Sequence, residues 1–258
     1  MLVVTLASSS SGNCALVSGG GQNILIDAGI SYRRIVSSLN ALGVGPRDIS
    51  AVLITHTHSD HIGGLPTLTK YISPRIFCGR GTDVTLERSI RPGGEITRLD
   101  CGADLYIGEL KITPFKTSHD SPGSVGYSIT SERGRFVYCT DLGIVTPEVE
   151  AAALGADAAV IESNHDLRML QTGPYPQFLK RRIASDVGHL SNDTSAAFAG
   201  RLADSGTRRL VLAHLSKENN TPEAAYSACT DSLRKRGAER DVTVRVAPHD
   251  CIGEALIL

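Results

Sequence analysis

Val52-Leu-Ile-Thr55-His56-Thr-His58-Ser-Asp60-His61-Ile-Gly-Gly64 decides how the rest of the chain is read. Val52–Thr55 has the composition of a buried strand. It runs directly into three imidazoles and a carboxylate within six residues. Packing alone does not explain so many polar groups at the end of an apolar strand. His56 and His58 are two apart, so an extended backbone sends both to one side. After a turn, Asp60 and His61 reach a neighbouring position. Imidazole and carboxylate donors together suit zinc or manganese, and iron as well. Gly63 and Gly64 let the chain turn tightly into a following helix.

Working outward, the first half reads as β-rich. Strands are expected at Leu2–Leu6, Cys14–Ser18, Asn23–Asp27, Arg75–Cys78, Leu110–Phe115, Val125–Thr130 and Arg135–Thr140, several rich in Val and Ile and bounded by Gly, Pro or Ser. The second half alternates. Helices are expected near Pro147–Leu154, Ser191–Ser205 and Pro222–Lys235, between strands Ala158–Glu162, Arg209–His214 and Val242–Val246. Ser191 and Thr221 are the expected N-caps, with Pro222 at the first helical position. A β-then-α order in each half implies an α/β fold, a four-layer αβ/βα sandwich with two sheets face to face. Residues 1–258 read as one domain. Residues 163–190 carry Gly173-Pro-Tyr-Pro176 and Lys180-Arg-Arg182, and read as a lid or a substrate-facing insertion.

A formal charge of −1 provides no global attraction to a polyanion, so such binding must come from local basic groups. With five Phe and no Trp, broad aromatic platforms are not expected. The six cysteines form no CxxC pair, and four fall in apolar runs, which reads as buried free thiols in a reducing cytosol. Met1–Leu6 is too short for a signal peptide and lacks a basic leader, and no apolar run approaches a membrane span. The expectation is a cytoplasmic protein with no membrane association.

HxHxDH after an apolar strand resembles the signature of the metallo-β-lactamase superfamily, and the resemblance extends along the chain. The family pattern has an Asp after an early strand, matched by Ile24-Leu-Ile-Asp27, and a His in a middle loop, matched by Thr117-Ser-His119. It has an Asp ending a strand, matched by Phe136-Val-Tyr-Cys-Thr-Asp141, and a late His, matched by Leu210-Val-Leu-Ala-His214. The resemblance implies two divalent metal ions. His56, His58 and His119 would hold one, Asp60, His61 and His214 the other, with Asp141 bridging and Asp27 orienting a ligand His from behind. Water held between the ions would be the nucleophile.

A full set including Asp60 resembles the phosphodiesterase branches. Glu162 and His189 sit where the tRNA 3′-processing nucleases of RNase Z type keep a pair thought to protonate the leaving oxygen. The resemblance therefore assigns catalysis to Asp60, Glu162 and His189. Only 22 positions separate His119 from Asp141, too few for the tRNA-gripping arm of RNase Z. The stretch from Asp141 to His214 is likewise too short for the β-CASP domain of RNase J-like enzymes. Leu6-Ala-Ser-Ser-Ser-Ser-Gly-Asn13-Cys14, Glu162-Ser-Asn-His-Asp166, Gly188-His-Leu-Ser-Asn192 and His214-Leu-Ser-Lys-Glu-Asn-Asn220 together resemble the YycJ/WalJ family. That resemblance implies a 5′-to-3′ DNA exonuclease linked to DNA repair, with a 5′-phosphorylated DNA end as partner.

Candidate substrate contacts are Ser9, Ser10, Ser11 and Asn13, whose loop reads as a row of donors for phosphate or as a polar turn. Asn164 and His165 join them, and Lys180 and Arg182 line a groove or a solvated helix face, with Arg168 a further cation. Asn219-Asn220 reads as a turn before the Thr221 cap. Two alternatives stand: an RNA or small-nucleotide phosphodiesterase, and a metal-binding regulatory protein without catalysis.

Overall fold

In the computed structural model, which describes residues 1–90 and 95–258, the strands form two seven-stranded mixed sheets. The first comprises β1 (Leu2–Ala7), β2 (Cys14–Gly19), β3 (Gln22–Ile26), β4 (Ile49–Ile54), β5 (Arg75–Gly79), β6 (Ile96–Leu99) and, beside β1, the short β14 (Leu256–Ile257). The second runs β7 (Leu105–Ile107), β8 (Leu110–Lys116), β9 (Val125–Ser131), β10 (Gly134–Cys139), β11 (Ala158–Glu162), β12 (Arg209–Ala213) and β13 (Thr243–Val246) in spatial sequence. In each sheet, antiparallel hairpins lead into a parallel stretch: β3 to β6 in the first, β10 to β13 in the second.

The strand sequences explain the layers. Strands buried on both faces read as continuous apolar runs, because alternate side chains enter different cores. In β4, Ala51 and Leu53 face the core between the sheets, while Val52 and Ile54 face the outer helices. The central core joins Val17, Ile24, Leu53 and Phe77 of the first sheet to Tyr127, Ile129, Phe136 and Tyr138 of the second. Burial of each large apolar side chain there contributes about 1.5–3 kcal/mol.

Outside the first sheet pack α1 (Tyr32–Ala41), α3 (Leu65–Tyr71) and α4 (Asp83–Ser89), through Ile35, Leu39, Leu65, Leu68 and Leu86. The four-residue α2 (Ser59–Ile62) carries the central motif. Outside the second sheet pack α5 (Pro147–Ala153), α8 (Asn192–Asp204) and α9 (Pro222–Lys235), through Val149, Phe198, Leu202, Cys229 and Leu233. Two short helices, α6 (Leu167–Thr172) and α7 (Gln177–Ile183), form the 163–190 segment. Both expected caps are present: Ser191 Oγ accepts from Thr194 N and Thr221 Oγ1 from Ala224 N.

Several elements exceed the sequence reading. Helix α1 has only two buried residues in ten, too few apolar positions for a visible period, although Ser31 caps it. Strand β14 has two residues and exists only because β1 pairs with it. The thiols divide: Cys14, Cys78, Cys139 and Cys229 are buried, but Cys101 and Cys251 lie exposed outside the regular elements, where no apolar run covers them. Among the described residues no helix is long and apolar enough to cross a membrane.

Candidate metal centre

The site lies where strands end. His56 follows β4, Asp27 follows β3, Asp141 follows β10, Glu162 ends β11 and His214 follows β12. Asp27, Asp141 and His214 have φ of 60, 59 and 57°, and they are the non-glycine residues with positive φ among those described. Such backbone costs about 1–3 kcal/mol per residue, so it persists only where surrounding structure holds it. Here it turns each side chain off its strand into one volume.

The central motif is clamped to the loop after β3. Ala28 N donates to His61 O at 2.8 Å, Gly64 N to Ala28 O at 2.7 Å and Asn13 N to Asp60 O at 2.7 Å. Gly29 permits this approach: a Cβ there would fall inside the Asp60 carbonyl oxygen. Asp27, fully buried, accepts from Thr55 N at 2.8 Å, Thr55 Oγ1 at 2.8 Å and His61 Nδ1 at 2.7 Å. The last bond fixes His61 with Nε2 facing the site.

The ring nitrogens and carboxylates converge in overlapping groups. Nδ1 of His58 lies 3.1 Å from His56 Nε2 and 3.2 Å from His119 Nε2. Oδ2 of Asp60 lies 3.4 Å from both His61 Nε2 and His214 Nε2. Between these sets, Asp141 Oδ2 is 3.3 Å from His61 Nε2, and Asp141 Oδ1 is 3.8 Å from His119 Nε2. The groups His56–His58–His119, Asp60–His61–His214 and His56–His61–Asp141 each bring their ligand atoms close enough to hold an ion.

Burial lowers the pKa of His56 well below the imidazole range, and of His58 and His119 less strongly, so all three favour the neutral form a cation requires. Burial opposes charge on His61 and His214 too, but Asp141 and the other carboxylates prevail, raising His61 well above its usual value and His214 to about 10. Asp141 Oδ2 is buried without a hydrogen-bond partner. An orphaned carboxylate oxygen amid facing ring nitrogens fits a divalent cation.

Glu162 is the hub behind the site. Its Oε1 accepts from His189 Nδ1 at 2.9 Å and His214 Nδ1 at 2.8 Å; its Oε2 accepts from Leu142 N and Leu190 N at 3.1 Å each. Burial works against its charge, yet the neighbouring His189 and these bonds hold its pKa at about 2. The His189 ring centroid stands 5.3 Å from that of His119 and 5.2 Å from that of His214.

The candidate substrate residues divide. In the serine loop the N–H groups of Ser9, Ser11, Gly12 and Asn13 all bond inside the protein, so it does not offer the open row of donors expected of a phosphate nest. Ser10 and Ser11 are exposed. Asn13 is buried; its Nδ2 donates to Ser9 O at 2.9 Å and lies 3.0 Å from His61 Nε2, and its backbone N–H braces the site through Asp60 O. Asn164 is buried as well, its amide held by His214 O at 2.8 Å. His165 is buried, and burial lowers its pKa to about 4.

Lys180 and Arg182 diverge, because two residues on a helix are about 200° apart. Lys180 Nζ donates to Gln171 O at 2.8 Å, whereas Arg182 Nε meets Asp120 Oδ2 at 2.5 Å. Asp120 Oδ1 is in turn 3.5 Å from His58 Nε2, so Arg182 reaches the site's rim. Arg168 is exposed on α6.

Sequence reasoning missed Thr55, Asp120 and Asn220. Thr55 and Asp120 adjoin the histidines and could have been found by that position. Asn220, read as a turn, is buried: its Nδ2 donates to Ser163 O at 2.8 Å and its Oδ1 accepts from Asn192 Nδ2 at 2.8 Å. It ties together three loops distant in sequence, and no local signal announces it.

Fold and site define the class: the chain belongs to the β-lactamase superfamily, whose family description "Beta-lactamase superfamily domain" matches residues 22–215. Within it, the chain is a member of the WalJ/YycJ family. It is 35% identical over 245 residues to the exodeoxyribonuclease WalJ of Streptococcus pneumoniae, covering 93% of this chain and 90% of that protein. It is 33% identical over 234 residues to the exodeoxyribonuclease YycJ of Bacillus anthracis, covering 90% and 89%. Among solved structures, the zinc-bound PqqB of Methylobacterium extorquens superimposes with a TM-score of 0.72 at 20% identity over the whole of both chains, a likeness of fold. The chain is thus a hydrolase of a fold that binds divalent metal.

Proposed function

We propose that this protein is a two-metal phosphodiester hydrolase that degrades DNA from a 5′-phosphorylated end. The observation that carries the reading is the single oxygen, Glu162 Oε1, shared by His214 within the metal centre and His189 beside it. Its sequence similarity to exodeoxyribonucleases supports DNA as the polymer.

We assign His56, His58 and His119 to one ion, Asp60, His61 and His214 to the other, and Asp141 to both; zinc or manganese suits these donors, and iron as well. When bound, the ions supply an acidified water and positive charge against the phosphate oxygens. The chain's own groups do the rest. Asp27 and Glu162 each take an Nδ1 proton bond from a ligand histidine, leaving Nε2 aimed inward. Glu162 holds His189 the same way, so His189 Nε2 is its free ring nitrogen. From that atom a proton passes to the leaving oxygen as the phosphorus–oxygen bond breaks, which spares an alkoxide leaving group. At net charge −1, affinity rests on local cations such as Arg182 and on the terminal phosphate.

The test uses one oligonucleotide labelled at its 3′ or its 5′ end, with and without a 5′-phosphate, alongside RNA and a closed circle, in added manganese or zinc. Early release of 5′ label as small product, with the 3′ label retained on long strands, is expected. Trimming from the 3′ end, equal cutting of the circle, or preference for RNA would overturn the reading.

A further inference from the structure

We infer that Phe178 is a stacking platform for a nucleobase of the substrate strand at the mouth of the metal centre, an inference that rests on the DNA reading above. Four of the five phenylalanines, Phe77, Phe115, Phe136 and Phe198, are buried, whereas Phe178 is 73% exposed. Its place gives that exposure a use. Phe178 lies four residues before Arg182 on α7, and residues at that spacing share a helix face one turn, about 6 Å, apart. Arg182 on that face meets Asp120, which meets His58. The platform therefore stands one helical turn from Arg182, which reaches the rim of the metal centre.

Helix α7 is also fixed against the site. Ile183 O accepts from His189 N at 2.9 Å, and a Cβ on Gly188 would collide with the carbonyls of Arg182 and Ile183. Gly188 O in turn lies 3.2 Å from His119 Nδ1. Asp120 N donates to Val187 O at 3.1 Å, so the loop after α7 is held on the other side. Ile183 is buried, and Lys180 ties the helix to α6. An aromatic face on a helix held against a phosphate-handling centre suits a base, because every base presents a π-face. Arg182, on the same face, offers a cation for the adjoining phosphate.

The experiment compares wild type, Phe178→Ala and Phe178→Trp on a 5′-phosphorylated single strand. A matched strand carries tetrahydrofuran residues, which lack bases, at its first three positions. On the intact strand Phe178→Ala should lose about 5- to 100-fold in kcat/KM, mainly through KM, and Phe178→Trp should retain wild-type values. On the base-less strand wild type should fall to the level of Phe178→Ala, with no further loss in that variant. Equal losses by Phe178→Ala on both strands would assign the residue a structural role and overturn the inference. Wild-type behaviour of Phe178→Ala on a strand that both proteins cut would overturn it alone. A wild type that leaves the intact strand uncut would remove the DNA reading, and this inference with it.

Discussion

Oε1 of Glu162 lies 2.8 Å from Nδ1 of His214, so a carboxylate in the second sheet fixes which ring nitrogen of a metal-centre histidine faces Asp60. All four groups that bond Glu162 are donors: two imidazole Nδ1–H groups and the N–H of Leu142 and Leu190. A carboxylate satisfies them all, being acceptor-only when ionised. Glu162→Gln would turn an NH2 toward two of these donors. Affinity for divalent metal should fall about 10- to 100-fold. Competition against a chelating dye measures it, and wild-type affinity would remove Glu162 from its orienting role.

Among the described residues His189 falls in one candidate ion group, with Asp141, Glu162 and His214, and in neither His56–His58–His119 nor Asp60–His61–His214, the sets assigned to the two ions. His189→Ala is therefore expected to keep its metal while cleavage slows about 10²- to 10⁴-fold. The loss should shrink on bis(p-nitrophenyl) phosphate, whose leaving group departs without a proton. An equal loss on both substrates would mark a binding role instead.

Asp141 shares one candidate ion group with His56 and His61 and another with Glu162, His189 and His214. Asp141→Ala is expected to bind fewer divalent ions than the two per chain proposed for the wild type, and to lose turnover, because the bound water is no longer acidified. Elemental analysis after gel filtration reads the first effect. Full hydrolysis by the variant freed of metal would defeat the two-ion assignment.

Asp27 is fully buried with three donors converging on it. Asp27→Ala strands those donors, and truncation of one partner in a buried pair costs about 3–5 kcal/mol. Urea unfolding in excess chelator separates this cost from loss of metal. A midpoint within error of wild type would show that the Thr55 and His61 bonds carry no net stability.

Much of the fold was legible because both faces of its strands are buried. Runs such as Val52–Ile54 are apolar throughout, and turn residues bound them. Helices α1, α6 and α7 were not legible, since each buries only one or two side chains. The serine loop shows the limit of local reading. Four small polar residues are compatible with a phosphate nest, but the N–H groups of Ser9, Ser11 and Gly12 are taken up inside the loop, and that of Asn13 by the distant Asp60 O.

The sequence by itself determined the donors and the places where they emerge. His56, His58, Asp60, His61, His119, Asp141 and His214 sit at or just beyond apolar strands, where side-chain type and strand end can both be read along the chain. Tertiary structure alone decided how those donors are held. Asn13, Glu162, Asn220 and Arg182 have roles set by partners 20 to 60 or so positions away. Hydrogen bonding is short-ranged and directional, so such pairings exist only after two sheets, packed by non-directional burial, have brought the strand ends together.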